Sequence, residues 1–583
     1  LAGFLSTFNS DAIRTIDLIK GAFPAKYGGR LSSVLDLTTR EGTQEKISGA
    51  GGISLISSRL TLEGPITENS TFMISGRRFY LDLLQKIAID AEDAPDYYFY
   101  DLNGKVNYQL GESDRLYASA YHGRDVVTFT DDTEEIDVNW GNTTGSLRWT
   151  HILSPSAFSS LSLSYTGYEF LADLRSTDRQ SNRTDVFGSS SAIRDVRLKE
   201  RLQLFPSEDH IVETGFEMTR HASRVRAVSI ESGDSTFSIP DSLGLQNATS
   251  FEGSVYAQDE WKVSDRLSVN LGGRLTWFEK GNYFYAEPRA AAVYRINDDL
   301  SASGSYSESH QPVHLVVRNG ISLPTDTWFP ATERIKPGFS RQGSLGLFGS
   351  IDEGTWKWSV EGYYKTLANL YEFSDTASFN PLVTVEEQLV EGTGKAWGVE
   401  LFLEKRIGAF TGWIGYTLAE TERTFVDLNN GEPFNPRYDR RHDAKVVLMY
   451  RLGDSWDFGV TWVYGTGQAY TVPTGSYAPI DPAYDGFDRN FGQGIYTENR
   501  YTERTGFRLP AYHRLDVNFS HDFEWFAIPW KLSLNVYNVY NRRNVFSWFI
   551  SDEYDESIDD VRPVIKQFTL FPIIPTVGLS FSF

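Results

Sequence analysis

From about residue 46 to the last residue, apolar and polar side chains alternate with a two-residue period, the mark of strands whose two faces meet different surroundings. In KLSLNVYNVYN, from Lys531 to Asn541, Leu532, Leu534 and Val536 share one face while Ser533 and Asn535 share the other. LSLSYTGY from Leu161, RLSVNLGGRL from Arg266 and TVGLSFSF from Thr576 repeat the pattern. A sandwich of two sheets would alternate too, so the interruptions decide. Short polar turns at Thr67, Gly111, Ser154, Pro206, Ser264, Asn297 and Asp352 alternate with long irregular stretches over 80–98, 172–190, 230–250, 310–336, 374–393, 473–508 and 550–563. Connections sorted by length in this way describe a transmembrane barrel with periplasmic turns and extracellular loops.

The predicted fold is therefore all-β, a 22-stranded antiparallel transmembrane β-barrel over residues 46–583. Its upward strands begin near Lys46, Thr71, Arg115, Phe158, Ile211, Arg266, Leu300, Thr355, Phe410, Ser455 and Trp530, each followed by a returning strand. The final strand carries Val577, Leu579, Phe581 and Phe583 on one face, an aromatic ending similar to the terminal strand that outer-membrane insertion machinery recognises.

Composition agrees with this reading. The 583 residues include 38 Phe, 31 Tyr, 14 Trp and 49 Gly but 3 Met, which favours strands and turns over helix cores. With 55 basic and 77 acidic side chains the net charge is −22, which excludes a nucleic-acid partner held by phosphate neutralisation. There is no Cys, so disulfides and thiolate sites are excluded, and nowhere do about 18 apolar residues run together as a membrane helix requires. The opening residues, LAGFLSTFNSDAIRT, lack the design of a signal peptide and read as an internal point of a longer precursor.

Residues 1–45 do not follow the barrel pattern. They read as a compact unit with a strand from Ile13 to Ile19, a turn through Gly21 and Pro24, and a second strand from Leu31 to Thr38. Between the strands, KYGGR, with Gly28, Gly29 and Arg30, is expected to be a tight, close-packed turn.

The stretch DAIRTIDLIKGAFPAKYGGRLSSVLDLTTREG resembles the C-terminal part of the plug domain of TonB-dependent outer-membrane receptors, most closely those of Bacteroidota-type bacteria. GKAWGVELFLEKRIGAFTGWIGYTLAETERTF from Gly394 and NNGEPFNPRYDRRHD from Asn429 resemble the barrel of the same group. The resemblance implies a bacterial outer-membrane protein with residues 1–45 as a partial N-terminal plug in the lumen. It further implies active uptake of a scarce nutrient, such as a metal chelate, peptide or glycan. Ligand would bind at the extracellular loops and plug apex. The TonB complex would pull on an N-terminal segment missing from this sequence, and a surface lipoprotein could cover the barrel mouth. Lipid and lipopolysaccharide are the expected surroundings. A structural or scaffolding barrel of a larger outer-membrane assembly, no longer transporting, stays open as the alternative; a TonB-contacting segment in the precursor would separate the two.

No spacing selects a catalytic constellation, so an enzyme is not expected and no cofactor is implied. His310 and His314 are four apart, but with Pro312 between them they read as loop residues rather than metal ligands. Asp131, Asp132, Glu134, Glu135 and Asp137, and Asp552, Glu553, Asp555, Glu556, Asp559 and Asp560, form two acidic loops that read as solvated, or as seats for divalent cations. In the eighth strand Arg197, Lys199 and Arg201 share one face, opposite Val196, Leu198, Leu202 and Leu204, with Glu200 the one exception on the apolar side. A cation on the lipid face near the midplane costs about 2–4 kcal/mol, so this row should face the lumen and could meet Glu213 and Glu217 of the ninth strand as an ion-pair ladder. Such a ladder would line a path or anchor the plug, with anchoring favoured. Aromatic residues in external segments, Tyr97, Tyr98, Phe99, Trp328 and Phe329, are candidates for stacking on a ligand, against an interfacial girdle or loop packing.

Overall fold

In the computed structural model, which describes residues 8–21, 23–82, 96–130, 133–178, 183–232, 245–316, 327–375, 377, 383–472, 475–477, 498–500, 503–555 and 560–583, 22 strands close into one antiparallel barrel. They are β1 (Ser48–Ser54), β2 (Ser57–Thr67), β3 (Ser70–Tyr80), β4 (Asp96–Gln109), β5 (Asp114–Thr130), β6 (Glu134–Ser154), β7 (Ala157–Asp178), β8 (Arg183–Ser207), β9 (His210–Ser232), β10 (Gln246–Lys262) and β11 (Leu267–Phe278). The second half comprises β12 (Tyr283–Asn297), β13 (Leu300–Gln311), β14 (Gly338–Ile351), β15 (Trp356–Phe373), β16 (Leu389–Lys405), β17 (Phe410–Phe425), β18 (His442–Leu452), β19 (Trp456–Gly465), β20 (Tyr512–Trp525), β21 (Ile528–Tyr537) and β22 (Ile574–Ser582). Every upward strand begins within two residues of the position expected from sequence.

The alternation becomes two environments. On β4, Asp101, Lys105 and Asn107 are buried in the lumen, while Leu102, Val106 and Tyr108 are exposed on the outer wall. On β10, Glu252, Ser254, Tyr256 and Gln258 point inward, and Phe251, Val255 and Trp261 point outward. β22 pairs with β1 from Ala50↔Ser582 to Ser54↔Gly578, and this seam closes the ladder. Val577 and Phe583 are exposed outward and Thr576 is buried inward, as alternation requires. A Cβ on Gly51 would lie 2.8 Å from the Phe581 ring, and one on Gly49 2.8 Å from the Phe583 ring, so the bare backbone of β1 is what lets the terminal aromatics cross the seam.

Several stretches expected to be irregular are strand. The β7–β8 ladder runs without a break up to Arg183↔Asp178, through the stretch 172–190, and β9 continues to Ser232. The last external segment is a hairpin, Asn544–Asp555 with Asp560–Leu570, and the segment 310–336 holds another, Val313–Val316 with Thr327–Pro330. β8 has 25 residues. At ~3.3 Å per residue it far outreaches the ~25 Å apolar band. Above the bilayer neither face meets lipid, so Asp173 and Arg175 replace apolar outward residues while backbone pairing goes on; the sequence signal fades although the strand does not. Conversely, β1 and β2 are joined by Leu55 and Ile56 alone, a short connection on the side of the long loops.

Within the barrel, Ile13–Ile19 pairs antiparallel with Val34–Thr39, Ile16 opposite Leu37. This hairpin and its flanks meet inward side chains around the bore: Asn9 donates to Ser75 of β3 at 2.6 Å, Asp11 pairs with Arg59 of β2 at 2.8 Å, and Lys20 pairs with Glu400 of β16.

Deleting Phe583 or introducing Gly51→Val at the seam is expected to lower the amount of barrel assembled in the outer membrane several-fold. Heat-modifiable mobility of outer-membrane fractions on gels measures this, with Ser582→Ala expected to be neutral.

Candidate functional site

The KYGGR turn is held by the barrel wall through its main chain. Nη1 of Arg289, on β12, donates to the carbonyls of Phe23 (3.1 Å), Pro24 (2.7 Å) and Tyr27 (2.6 Å). Its guanidinium lies 4.5 Å from the centre of the Phe23 ring, and Nη2 is 3.1 Å from Glu287 Oε2. Lys199 donates to the Lys26 carbonyl at 2.9 Å, Lys365 of β15 to that of Leu31 at 2.9 Å, and Lys105 of β4 to that of Thr39 at 3.3 Å. Gly28 rests on the buried Arg274 guanidinium, where a Cβ would lie 2.4 Å from Nε, and Gly29 has φ +73°, so both glycines are needed. Tyr27 donates to Asp36 at 2.6 Å; burial, and then that carboxylate, push its phenol up.

The basic row of β8 does face the lumen, but it meets the acids of β9 at one point rather than as a full ladder. Lys199 stands opposite Glu217, whose carboxylate gathers Arg197 at 3.1 Å, Lys199 at 3.7 Å and Arg274 of β11 at 3.5 Å. Glu213 stands opposite Gln203 and pairs instead with Lys26 of the inner turn, at 3.6 Å. Arg201 faces Gly215 and joins neither acid. The cluster therefore grips the inner turn.

The aromatic candidates separate. Tyr97 and Phe99 are inward on β4 and packed with Phe79, Val138, Trp140 and Phe170; the Tyr97 hydroxyl donates to Asp125 at 3.0 Å. Tyr98, the next residue, projects from the opposite face onto the outer wall, 4.9 Å beneath the Arg78 guanidinium, so the two tyrosines cannot share a ligand. Phe329 is buried with Val225, Val316, Ile335, Tyr371 and Phe373, which is loop packing. Trp328 is half-buried: its backbone N–H donates to the Ser191 hydroxyl of β8 at 3.3 Å and its ring lies 6.0 Å from the Arg30 guanidinium. Its hairpin thus folds across the mouth onto the turn at Gly28–Arg30.

Beside that hairpin, between the inner strands and β13–β17, lies a cavity of about 680 Å³. Lys20, Gly21 and Leu31–Ser33 form one side, and His314, Tyr363, Lys365, Tyr371 and Tyr438 much of the other. Four cations, Lys20, Lys365, Arg423 and Arg437, border it against two carboxylates, Glu372 and Glu400. Glu372 is buried and holds two arginines, Arg423 at 2.6 Å and Arg504 at 2.7 Å; Arg423 in turn donates to the Tyr438 hydroxyl at 2.8 Å. Asp439 fixes the same segment by accepting from Arg508 at 2.6 Å and from the Thr421 N–H at 2.8 Å. Sequence reasoning missed this chamber, although Phe434, Pro436, Arg437 and Tyr438 belong to NNGEPFNPRYDRRHD, the segment that carried the resemblance.

The two histidines have separate partners. His310 stacks on Tyr285 with centroids 3.9 Å apart and lies 3.3 Å from Glu287. His314 donates from Nε2 to the Lys336 carbonyl at 2.9 Å, and burial holds its pKa down to about 4. Among the described residues no group of three or more His, Asp or Glu is placed to hold a metal ion. Of the first acidic group, Glu134, Glu135 and Asp137 lie in strand β6 rather than in a loop; Glu135 pairs with Arg175 at 3.5 Å and Asp137 accepts from Asn139 at 3.1 Å. Asp131, Asp132, Glu556 and Asp559 lie outside the described residues, as do the side chains of Asp552, Glu553, Asp555 and Asp560.

Glu372→Ala leaves two buried guanidinium groups without their shared carboxylate and is expected to weaken the 423–439 segment by about 3–5 kcal/mol. Amide exchange there should rise at least a hundredfold. His314 stays neutral in the folded state below the pH at which the unfolded residue protonates, so its hairpin should be fully stable above about pH 6.5 and lose stability as pH falls towards 4. Exchange in 313–316 measured at pH 7.5 and pH 5 checks this, and His314→Phe should flatten the difference.

A family model described as TonB dependent receptor-like, beta-barrel, matches residues 77–539. No curated protein sequence matches. Among solved structures, the ferripyoverdine receptor of the Pseudomonas aeruginosa outer membrane, bound to ferripyoverdine, is 14% identical with TM-score 0.68, over 97% of this chain and 76% of that one. BauA, the ferric preacinetobactin receptor of Acinetobacter baumannii, is 13% identical with TM-score 0.67, over 99% and 86%. The ferric-catecholate import receptor Fiu of E. coli K12, in its closed form, is 15% identical with TM-score 0.64, over 97% and 85%. With a matching family model over most of its length and a closed 22-stranded barrel, the chain belongs to the TonB-dependent receptors, transport receptors of the bacterial outer membrane and not enzymes.

Proposed function

We propose that this receptor imports a scarce nutrient with energy delivered by the TonB complex through a segment N-terminal to residue 1. Residues 1–45 are then the C-terminal part of its plug, and the cavity between their hairpin and β13–β17 is where cargo is held on its way in. The carrying observation is that one wall of the cavity is the inner hairpin itself, at Lys20, Gly21 and Leu31–Ser33, so moving the hairpin opens the cavity. The iron-chelate receptors that share the fold support a metal chelate as cargo, with a peptide or glycan next. The family resemblance also supports a surface lipoprotein seated over the mouth.

A deletion strain grown on a panel of single ferric chelates, peptides and glycans is expected to fail on one class, and deleting the TonB partner should reproduce that failure. Normal growth on the whole panel together with a leaky envelope would overturn import in favour of a scaffolding role.

A further inference from the structure

The outer wall of β3–β8 carries a groove where side chains are missing. Across it, Ile74, Gly104, Ala120, Gly145, Tyr165 and Val196 stand directly opposite one another on successive strands. A Cβ on Gly104 or Gly145 would meet nothing within 4 Å, so the small residues leave open space that the neighbours do not fill. The groove measures about 610 Å³, with Val106, Leu147 and Leu163 among its apolar lining. Since β3 rises from its periplasmic turn at Ser70, the extracellular rim lies beyond Ile74, and there the same outward faces change character.

On that rim stand Arg78, Arg124 and Arg194. Arg78 and Arg124 both stand opposite Tyr100, on either side of it. Arg78 covers Tyr98 and meets Asp82 at 3.3 Å, and Arg194 pairs with the exposed Glu169. Arg124 donates to Asn139 at 2.6 Å and pairs with no carboxylate among the described residues. Three outward arginines at the edge of an apolar band, in a chain of net charge −22, stand where an outer-leaflet phosphate would meet them. A second copy of the chain is the poorer occupant, because two copies related by an axis along the membrane normal would set arginine rim against arginine rim.

We propose that this wall is the seat of one lipopolysaccharide molecule, its acyl chains in the Gly104–Ala120–Gly145 groove and its lipid A phosphates on Arg78, Arg124 and Arg194. A bidentate guanidinium–phosphate geometry fixes the head group and the groove admits the chains, so both parts are needed for tight binding.

The test is native mass spectrometry of the purified receptor in detergent, titrated with bisphosphorylated lipid A, with dephosphorylated lipid A and with phosphatidylethanolamine. The wild type should retain one bisphosphorylated lipid A at least tenfold more strongly than either control. The triple variant Arg78→Gln, Arg124→Gln, Arg194→Gln should lose that preference, and Gly104→Leu with Gly145→Leu should lose it with the arginines intact. Unchanged heat-modifiable mobility establishes that both variants still form barrels. Equal retention of all three lipids, wild-type retention in either variant, or a second copy of the chain on this wall would overturn the proposal.

Discussion

Everything in this molecule follows from the requirement that no backbone N–H or C=O be left unpaired in hydrocarbon, where each costs several kcal/mol. The requirement is met only when β22 reaches β1, so a pairing between the two ends of a chain of more than five hundred residues conditions every strand between them. Closure at 22 strands also makes a wide bore. Inward residues cannot pack across such a bore as they do in a small barrel, and those around the inner hairpin, such as Asp101, Lys105, Glu213, Arg274 and Arg289, are largely polar. That polar lining is what receives the inner hairpin.

The same logic explains what was legible in the sequence. Strand positions could be read where one face meets lipid and the other the lumen, because the two solvents impose a strict alternation, and the β8 row from Arg197 to Arg201 declared its direction for that reason. Above the membrane that contrast disappears, and the hairpin Val313–Val316 with Thr327–Pro330 looked like loop although its backbone is paired. Side chains that meet across the bore were invisible, since strand periodicity says which way Arg289 or Lys365 points but not what stands opposite. Glu213 illustrates this: it was expected to meet the neighbouring strand's cations, and its partner is Lys26, nearly two hundred residues away in sequence.

The chamber shows how a buried carboxylate organises a mouth. Glu372 sits between Arg423 and Arg504 and so ties β17 to a segment far along the chain, while Asp439 ties the intervening turn to Arg508. Loops held in this manner are tied into one rim, and the cavity keeps a cationic excess because four cations border it against two carboxylates. An acidic protein can in this way present a locally basic interior.

The wall's grip on the inner hairpin is mostly on main-chain oxygens: Arg289, Lys199, Lys365 and Lys105 all end on carbonyls. A carbonyl is present whatever residue bears it. Where the grip is on carbonyls, wall and hairpin are thus freed from matching each other letter for letter; the exceptions on the hairpin side are Gly28, which gives Arg274 its clearance, Gly29 with its positive φ, and Asn9, Asp11, Lys20 and Lys26, which meet the wall through their side chains. Such a fastening suits a lineage in which the interior piece and the enclosing wall diversify at different rates.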